Sequence, residues 1–90
     1  VLIMKVFVLS SGCRYEGGSV ESVHSTKESG RAAALKLVKE RNDRFNDYRI
    51  AEAAEGDSYW ADHPDMTEED EGFWSDGMDY VALREIELLD

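Results

Sequence analysis

The order of apolar and polar residues predicts a β-hairpin at the start of the chain. Residues 3–10 are apolar at nearly every position before Ser10, and only Lys5 interrupts them. A strand of this composition is typical of the centre of a sheet, so we expect it to be covered on both faces. Turn-forming Ser and Gly residues follow it, and residues 19–25 are rich in Val and Ser. That composition favours a second, more exposed strand, which completes a hairpin over residues 3–25.

A helix is predicted next, over residues 26–45. Ser25 and Glu28 match a capping box, in which each side chain satisfies a free backbone amide of the first helical turn. The apolar side of this helix consists of Ala34, Leu35, Val38 and Phe45. Its outer surface is basic and consists of Lys27, Arg31, Lys36, Lys39, Arg41 and Arg44. We interpret the basic residues as a solvated face that also attracts acidic residues elsewhere in the chain.

The remaining sequence predicts a last strand and, before it, an irregular insert. Residues 79–89 place Tyr80, Ala82, Ile86 and Leu88 on one strand face. Residues 46–78 show no sustained period, and Pro64 excludes a helix interior around it. We therefore expect a single α+β domain, 1–90, with a ββα-(acidic insert)-β order. In this fold, one principal helix packs on a small antiparallel sheet made of the hairpin and the C-terminal strand.

Composition limits the classes of protein to which the chain can belong. Ninety residues make one domain, and 42% apolar residues are enough for a folded core. The single cysteine excludes an internal disulfide, which favours a reducing, cytoplasmic setting. No apolar run approaches the roughly 20 residues that a membrane span needs, so no membrane partner is expected.

The charge is distributed unevenly between the two halves of the chain. Residues 1–45 hold eight basic and five acidic side chains, whereas residues 46–90 hold two basic and fifteen acidic ones. Between Glu52 and Asp79 there are eleven Asp or Glu residues and no Lys or Arg. A net charge of −10 repels phosphates, so we expect no direct contact with nucleic acid.

Three segments carry a resemblance to a known group of proteins. Val6–Gly12, Ser25–Glu28 and Asp79–Leu88 resemble a family of small α+β proteins of uncharacterised function encoded by bacteriophages and bacteria. The resemblance implies this fold and a phage-like origin, and hence action in the cytoplasm of a host cell. It implies no catalytic residues.

Candidate catalytic and metal-binding residues are few. Cys13, His24 and His63 would be needed for a Cys–His nucleophile pair, but no activating motif surrounds Cys13. The acidic residues near His63 do not match the spacing of a calcium loop in any register. We therefore expect a protein that is not an enzyme and that uses no metal or other cofactor.

The acidic insert is the candidate functional segment, and three interpretations of it stay open. It can be a loop neutralised by the basic helix, a mimic of nucleic-acid charge, or an acidic and aromatic binding edge. Mimicry needs compact folding, since a helical form spaces the charges about 3.8 Å apart and an extended form about 8 Å apart. The predicted acidic contacts are Glu68, Glu69, Asp70, Glu71 and Asp76, and the predicted aromatic anchors are Tyr59, Trp60, Phe73 and Trp74.

The leading hypothesis is that these residues bind a basic surface of a host protein, possibly one that handles nucleic acid, and inhibit or redirect it. The alternative is a self-associating scaffold, in which the basic helix of one copy meets the acidic insert of another and forms a homodimer. Both hypotheses require the carboxylates to face outward, where a second molecule can reach them.

Overall fold

The computed structural model describes residues 3–56 and 63–89 and contains one helix and one five-stranded antiparallel sheet. The elements in chain order are β1 (Ile3–Cys13), β2 (Gly17–His24), α1 (Lys27–Glu55), β3 (Thr67–Asp70), β4 (Phe73–Ser75) and β5 (Asp79–Leu89). The order across the sheet is β2-β1-β5-β4-β3. The predicted α+β class and the ββα-β order are confirmed.

The centre of the sheet is the pair formed by the first and last strands. β1 and β5 pair along their whole length, from Ile3 opposite Leu89 to Cys13 opposite Asp79. β2 pairs with the other side of β1 through the predicted hairpin. The two edges of the sheet are therefore β2 and the short acidic strand β3.

The hydrophobic core lies between α1 and one face of the sheet. Its buried members are Leu9, Ala34, Val38, Met66, Trp74 and Val81. Gly30 lets the helix approach closely, because a Cβ at this position would lie 2.7 Å from a methyl carbon of Leu83. A single helix covers a single face, so the expectation that β1 is covered on both faces is wrong. Val6 and Val8 are only half-buried, and Met4 is exposed.

The helix begins with a different cap and ends later than predicted. Thr26 is the N-cap, and its hydroxyl accepts a hydrogen bond from the amide of Ser29 at 3.1 Å. The predicted capping box of Ser25 with Glu28 is wrong by one residue. The helix continues to Glu55, not to residue 45, because residues 46–55 contain neither Pro nor Gly. It ends at Gly56, whose positive φ of 81° suits glycine.

Much of the predicted irregular insert is regular structure. Residues 46–55 belong to α1, and β3 and β4 form a hairpin that extends the sheet. Strands of four and three residues are too short to show an alternating pattern, which is why the sequence did not reveal them. The turn between them uses Gly72 at a φ of 77°, and Leu83 donates its amide to the Gly72 carbonyl at 2.8 Å.

The molecule is elongated, with principal extents of 62 × 24 × 19 Å. A helix of 29 residues is about 43 Å long. Arg41 lies beside Asp79, at the start of β5, so the helical residues after it extend past that end of the sheet. Asn42 binds the chain that returns from the helix: its amide group exchanges two hydrogen bonds with the backbone of Met66, at 2.9 and 3.1 Å.

Candidate functional site

Ion pairs join the basic helix to the acidic hairpin within one chain. The two terminal nitrogens of Arg31 donate to the two carboxylate oxygens of Glu68, at 2.9 and 3.1 Å. This bond and a second one from the Gly72 amide lower the pKa of Glu68. Lys27 pairs with Glu71 and lowers the pKa of that carboxyl group in the same way. These contacts fasten the β3–β4 hairpin to the first two turns of α1.

Asp76 holds a second, buried ion pair. Its side chain has no exposed surface, and one of its oxygens pairs with Arg41 and lies 3.1 Å from Nε2 of His63. The other oxygen accepts the amides of Met78 and Asp79, at 2.8 and 2.7 Å, and so closes the turn before β5. The guanidinium of Arg41 lies 4.0 Å from the ring centre of Phe45. Burial lowers the pKa of Arg41, and the charge of Asp79 opposes this shift.

The structure therefore divides the predicted acidic contacts into two groups. Glu68, Glu71 and Asp76 are paired with bases of the helix, and Asp76 is corrected from a binding residue to a buried structural one. Glu69 and Asp70 are exposed and have no ion pair within residues 3–56 and 63–89. Glu68 lies opposite Trp74 and Asp70 lies opposite Phe73, on opposite faces of the sheet, so the acidic run does not form one patch.

The predicted aromatic anchors also separate. Trp74 is 2% exposed and belongs to the core, where Arg31 lies 5.4 Å from its ring centre, so it is corrected from an anchor to a core residue. Phe73 projects from the other face of the sheet, stacked on Tyr80 with ring centres 6.1 Å apart. Tyr59 and Trp60 lie outside the described residues.

The face of the sheet that points away from α1 is apolar and uncovered by any described element. The strand register places its side chains, and we call this surface the open face. It consists of Met4, Val6, Val8, Ser10, Val20, Val23, Phe73, Ser75, Tyr80, Ala82, Arg84, Ile86 and Leu88. Val23 is 60% exposed and Ile86 is 40% exposed. Large apolar side chains in contact on a surface are typical of a binding site.

A β-bulge makes the open face continuous at its edge. Leu9 pairs with Ser22 and Ser10 pairs with Val20, so Glu21 is an extra residue in β2. Without it, Val20 and Val23 would point to opposite faces, because their spacing is odd. The carboxylate of Glu21 instead accepts a hydrogen bond from Ser11 on the helix side, at 2.6 Å.

The open face carries almost none of the protein's charge. Among its thirteen residues only Arg84 is ionised, and Arg14 lies next to them, in a shallow pocket with Phe73 and Tyr80. Its nearest acidic neighbour in the strand register is Asp70, at the rim beyond Phe73. The sequence contained this signal, since β1 is apolar on both sides and the sequence predicts one principal helix. One helix cannot cover two faces of a sheet.

The structure does not bring Cys13 and His24 together. Cys13 and His24 lie toward opposite ends of the β1–β2 hairpin: Cys13 pairs with Gly17, and His24 pairs with Phe7. Six residues of strand separate these rows by about 20 Å, so the two side chains cannot act together. His24 contacts the hydroxyls of Ser22 and Ser29. Within the described ranges, no three His, Cys, Asp or Glu residues converge as metal ligands.

A cavity of about 330 Å³ lies between α1 and the sheet. Arg41 and Arg44 line it together with Glu21, Glu40 and Asp79. The mixed charges do not select an anion or a cation.

No helix in the described part of the chain is both long and apolar enough to cross a bilayer.

Comparison with protein-family models, curated proteins and solved structures found no match to this chain. The resemblance to small phage and bacterial proteins therefore stays an expectation from the sequence, and the candidate site is defined by geometry alone.

Proposed function

We propose that this protein is a non-catalytic protein-binding module and that the open face is its binding surface. The observation that carries the proposal is the concentration of exposed apolar side chains, such as Val23 and Ile86, on one face of the sheet. Exposing such a surface to water has a free-energy cost of roughly 25 cal/mol per Å², which a partner removes when it covers the surface.

Features of the two sheet edges support contact through the face of the sheet in preference to its edges. The edge strand β3 is short and acidic, with the sequence Thr67–Asp70, and β2 contains the bulge at Glu21. Charged, short and bulged edge strands are features that oppose pairing with a strand of another molecule. The open face has no comparable obstacle.

Site-specific photocrosslinking tests the proposal. A benzophenone amino acid in place of Val23 should form adducts with another protein chain in a bacterial lysate. The same replacement of Leu35, which is 49% exposed on the helix, is the matched control and should form few adducts. Adding Ile86→Glu should abolish the adducts at position 23. Equal labelling at both positions, or none at position 23, would contradict the proposal.

A second candidate is charge-directed binding of a basic host protein by a phage-encoded inhibitor. The net charge of −10 supports it, because ten bases can neutralise only half of the twenty acidic groups. Glu69 and Asp70 are the predicted contacts that stay exposed. Mimicry of nucleic acid gains less support, since the acidic run is extended over two faces and not wound into a helix.

Retention of lysate proteins on the immobilised protein tests this second candidate. Glu69→Gln with Asp70→Asn should reduce retention, and physiological salt should reduce it further, because screening weakens attraction between exposed charges. The control, Glu16→Gln with Glu87→Gln, removes the same charge from exposed positions outside the β3–β4 hairpin. Charge-directed binding would be contradicted if both variants lost retention equally, or if retention did not change with salt concentration.

A further inference from the structure

We infer that the partner of the open face is the open face of a second copy, so that two sheets pack face to face in a two-fold dimer. The inference rests on the proposed binding function and names its partner. A two-fold dimer brings the same patch of both subunits together, so the patch has to be self-complementary in shape and charge.

The charge of the open face favours a second copy over a basic or acidic partner. A basic protein would be drawn to the acidic parts of the molecule and would meet Arg84 on this face. A strongly acidic patch would find a single cation, Arg84, among these side chains, and the net charge of −10 repels a second copy as it repels any acidic protein, so burial of apolar area has to drive the association. A second copy brings one Arg84 from each subunit, and its long aliphatic stem lets the guanidinium reach the rim of the contact.

The size of the open face is close to what a stable dimer needs. β1 and β5 have eleven residues each and are about 37 Å long, β2 has eight residues and is about 27 Å long, and β4 has three residues and is about 10 Å long. At about 4.8 Å per strand the flat area is on the order of 500 Å², and projecting side chains make the accessible area larger. A standard interface buries about 800 Å² on each partner.

The side chains on the open face suit sheet-on-sheet packing. Packed sheets lie about 10 Å apart, with the side chains of their inner faces interdigitating. Small residues, Ser10 and Ala82, lie between the larger Ile86 and Leu88 at one end and the Phe73–Tyr80 stack at the other. Ala82 is only 4% exposed, so contact with the second copy comes from the larger side chains around it, such as Val20 and Ile86.

Molar mass measured by light scattering and sedimentation over a concentration series tests the inference. The wild-type protein should form a dimer, and Val23→Glu and Ile86→Glu should each weaken dimerisation by about 100-fold or more, because each places two unpaired carboxylates in one interface. Leu35→Glu adds the same charge on the helix and should dimerise like the wild type. Circular dichroism should show that all three variants are folded.

Salt distinguishes this dimer from one that pairs the basic helix of one copy with the acidic hairpin of another. A dimer through the open face should strengthen or stay constant as salt rises, because screening reduces repulsion between two negative subunits. A dimer that dissociates in salt, or one that survives both Val23→Glu and Ile86→Glu, would overturn the inference.

A protein that is monomeric at every concentration would also overturn the inference. Crosslinking then shows whether the proposed binding function fails as well. If the benzophenone at position 23 still captures a different protein, the binding function stands and only the second copy is wrong. If position 23 captures nothing, both are wrong.

Discussion

Arg31 and Glu68, which are 37 positions apart in the sequence, form a bidentate ion pair. The two terminal guanidinium nitrogens lie 2.9 and 3.1 Å from the two carboxylate oxygens. The pair joins the second turn of α1 to the edge strand β3. Glu68 also accepts the amide of Gly72, so one carboxylate holds both the helix and the hairpin turn. Residues that the sequence offered as contacts for a foreign partner thus stabilise the chain's own fold.

The ion pairs of the hairpin should make stability depend on pH in the acid range. The pKa values of Glu68 and Glu71 lie below the ordinary value of 4.5 because Arg31 and Lys27 favour their ionised forms. A lowered pKa in the folded state stabilises the fold above about pH 4.5, and this contribution is lost as the pH falls through the folded-state values. Urea unfolding at pH 7 and at lower pH measures it.

The variant Glu68→Gln isolates the contribution of one carboxylate. It should lower the urea midpoint at pH 7, and its difference from the wild type should shrink as the pH falls. Glu69→Gln, at an exposed neighbour with no ion pair among the described residues, is the control and should change little at any pH. A Glu68→Gln difference that stays constant with pH would show that Arg31 does not influence this carboxylate.

Removal of Arg41 should destabilise the protein more than Glu68→Gln does, because it leaves a buried carboxylate without its cation. Arg41→Ala should lower the free energy of unfolding by about 3 kcal/mol or more, since Asp76 has no exposed surface. Arg41→Lys keeps the charge and should lose less. Chemical denaturation of both variants measures the difference.

Asp76→Asn provides the complementary test of the same pair. The amide oxygen can still accept the amides of Met78 and Asp79, while the negative charge is gone. Its double mutant with Arg41→Leu should therefore be more stable than Arg41→Leu alone. If the two changes proved simply additive, Arg41 and Asp76 would not be coupled.

The N-cap of the helix is testable with two neighbouring residues. Thr26→Ala removes the hydroxyl that accepts the Ser29 amide and should cost about 1 kcal/mol. Ser25→Ala, at an exposed residue outside the helix, should cost little. Thermal unfolding of the two variants distinguishes them, and a larger loss for Ser25→Ala would support the capping box that the sequence predicts.

Two glycines should respond differently to alanine. The atoms nearest to a Cβ at Gly30 belong to the side chain of Leu83, which can rotate, and alanine favours the helix by nearly 1 kcal/mol. Gly30→Ala should therefore leave the free energy of unfolding within about 1 kcal/mol of the wild type. A Cβ at Gly12 meets the backbone of Gly17 and Gly18, which cannot move without breaking the hairpin, and Gly12→Ala should cost about 2 kcal/mol. Urea denaturation should show this order, and the reverse order would contradict it.

The elements that the sequence predicted well are those with a strong local pattern. β1 and β5 are long and apolar, and the helical segment has both a periodic apolar side and a polar cap region. The helix end was missed because residues 46–55 show no periodic apolar side in the sequence. Met66 and Trp74 were missed as core residues because they lie in segments of only a few residues, where no period can be seen.

The sequence by itself determined the class of the fold, the position of its central strands and the excess of negative charge, because these follow from composition and from spacings of two to four residues. Only the tertiary structure decided which carboxylates are paired and which face of the sheet is uncovered. Ion pairing joins residues far apart in the chain, as Arg31 and Glu68 show. Burial depends on how many elements exist to cover a sheet, and among the described residues one helix covers one face and no element covers the other.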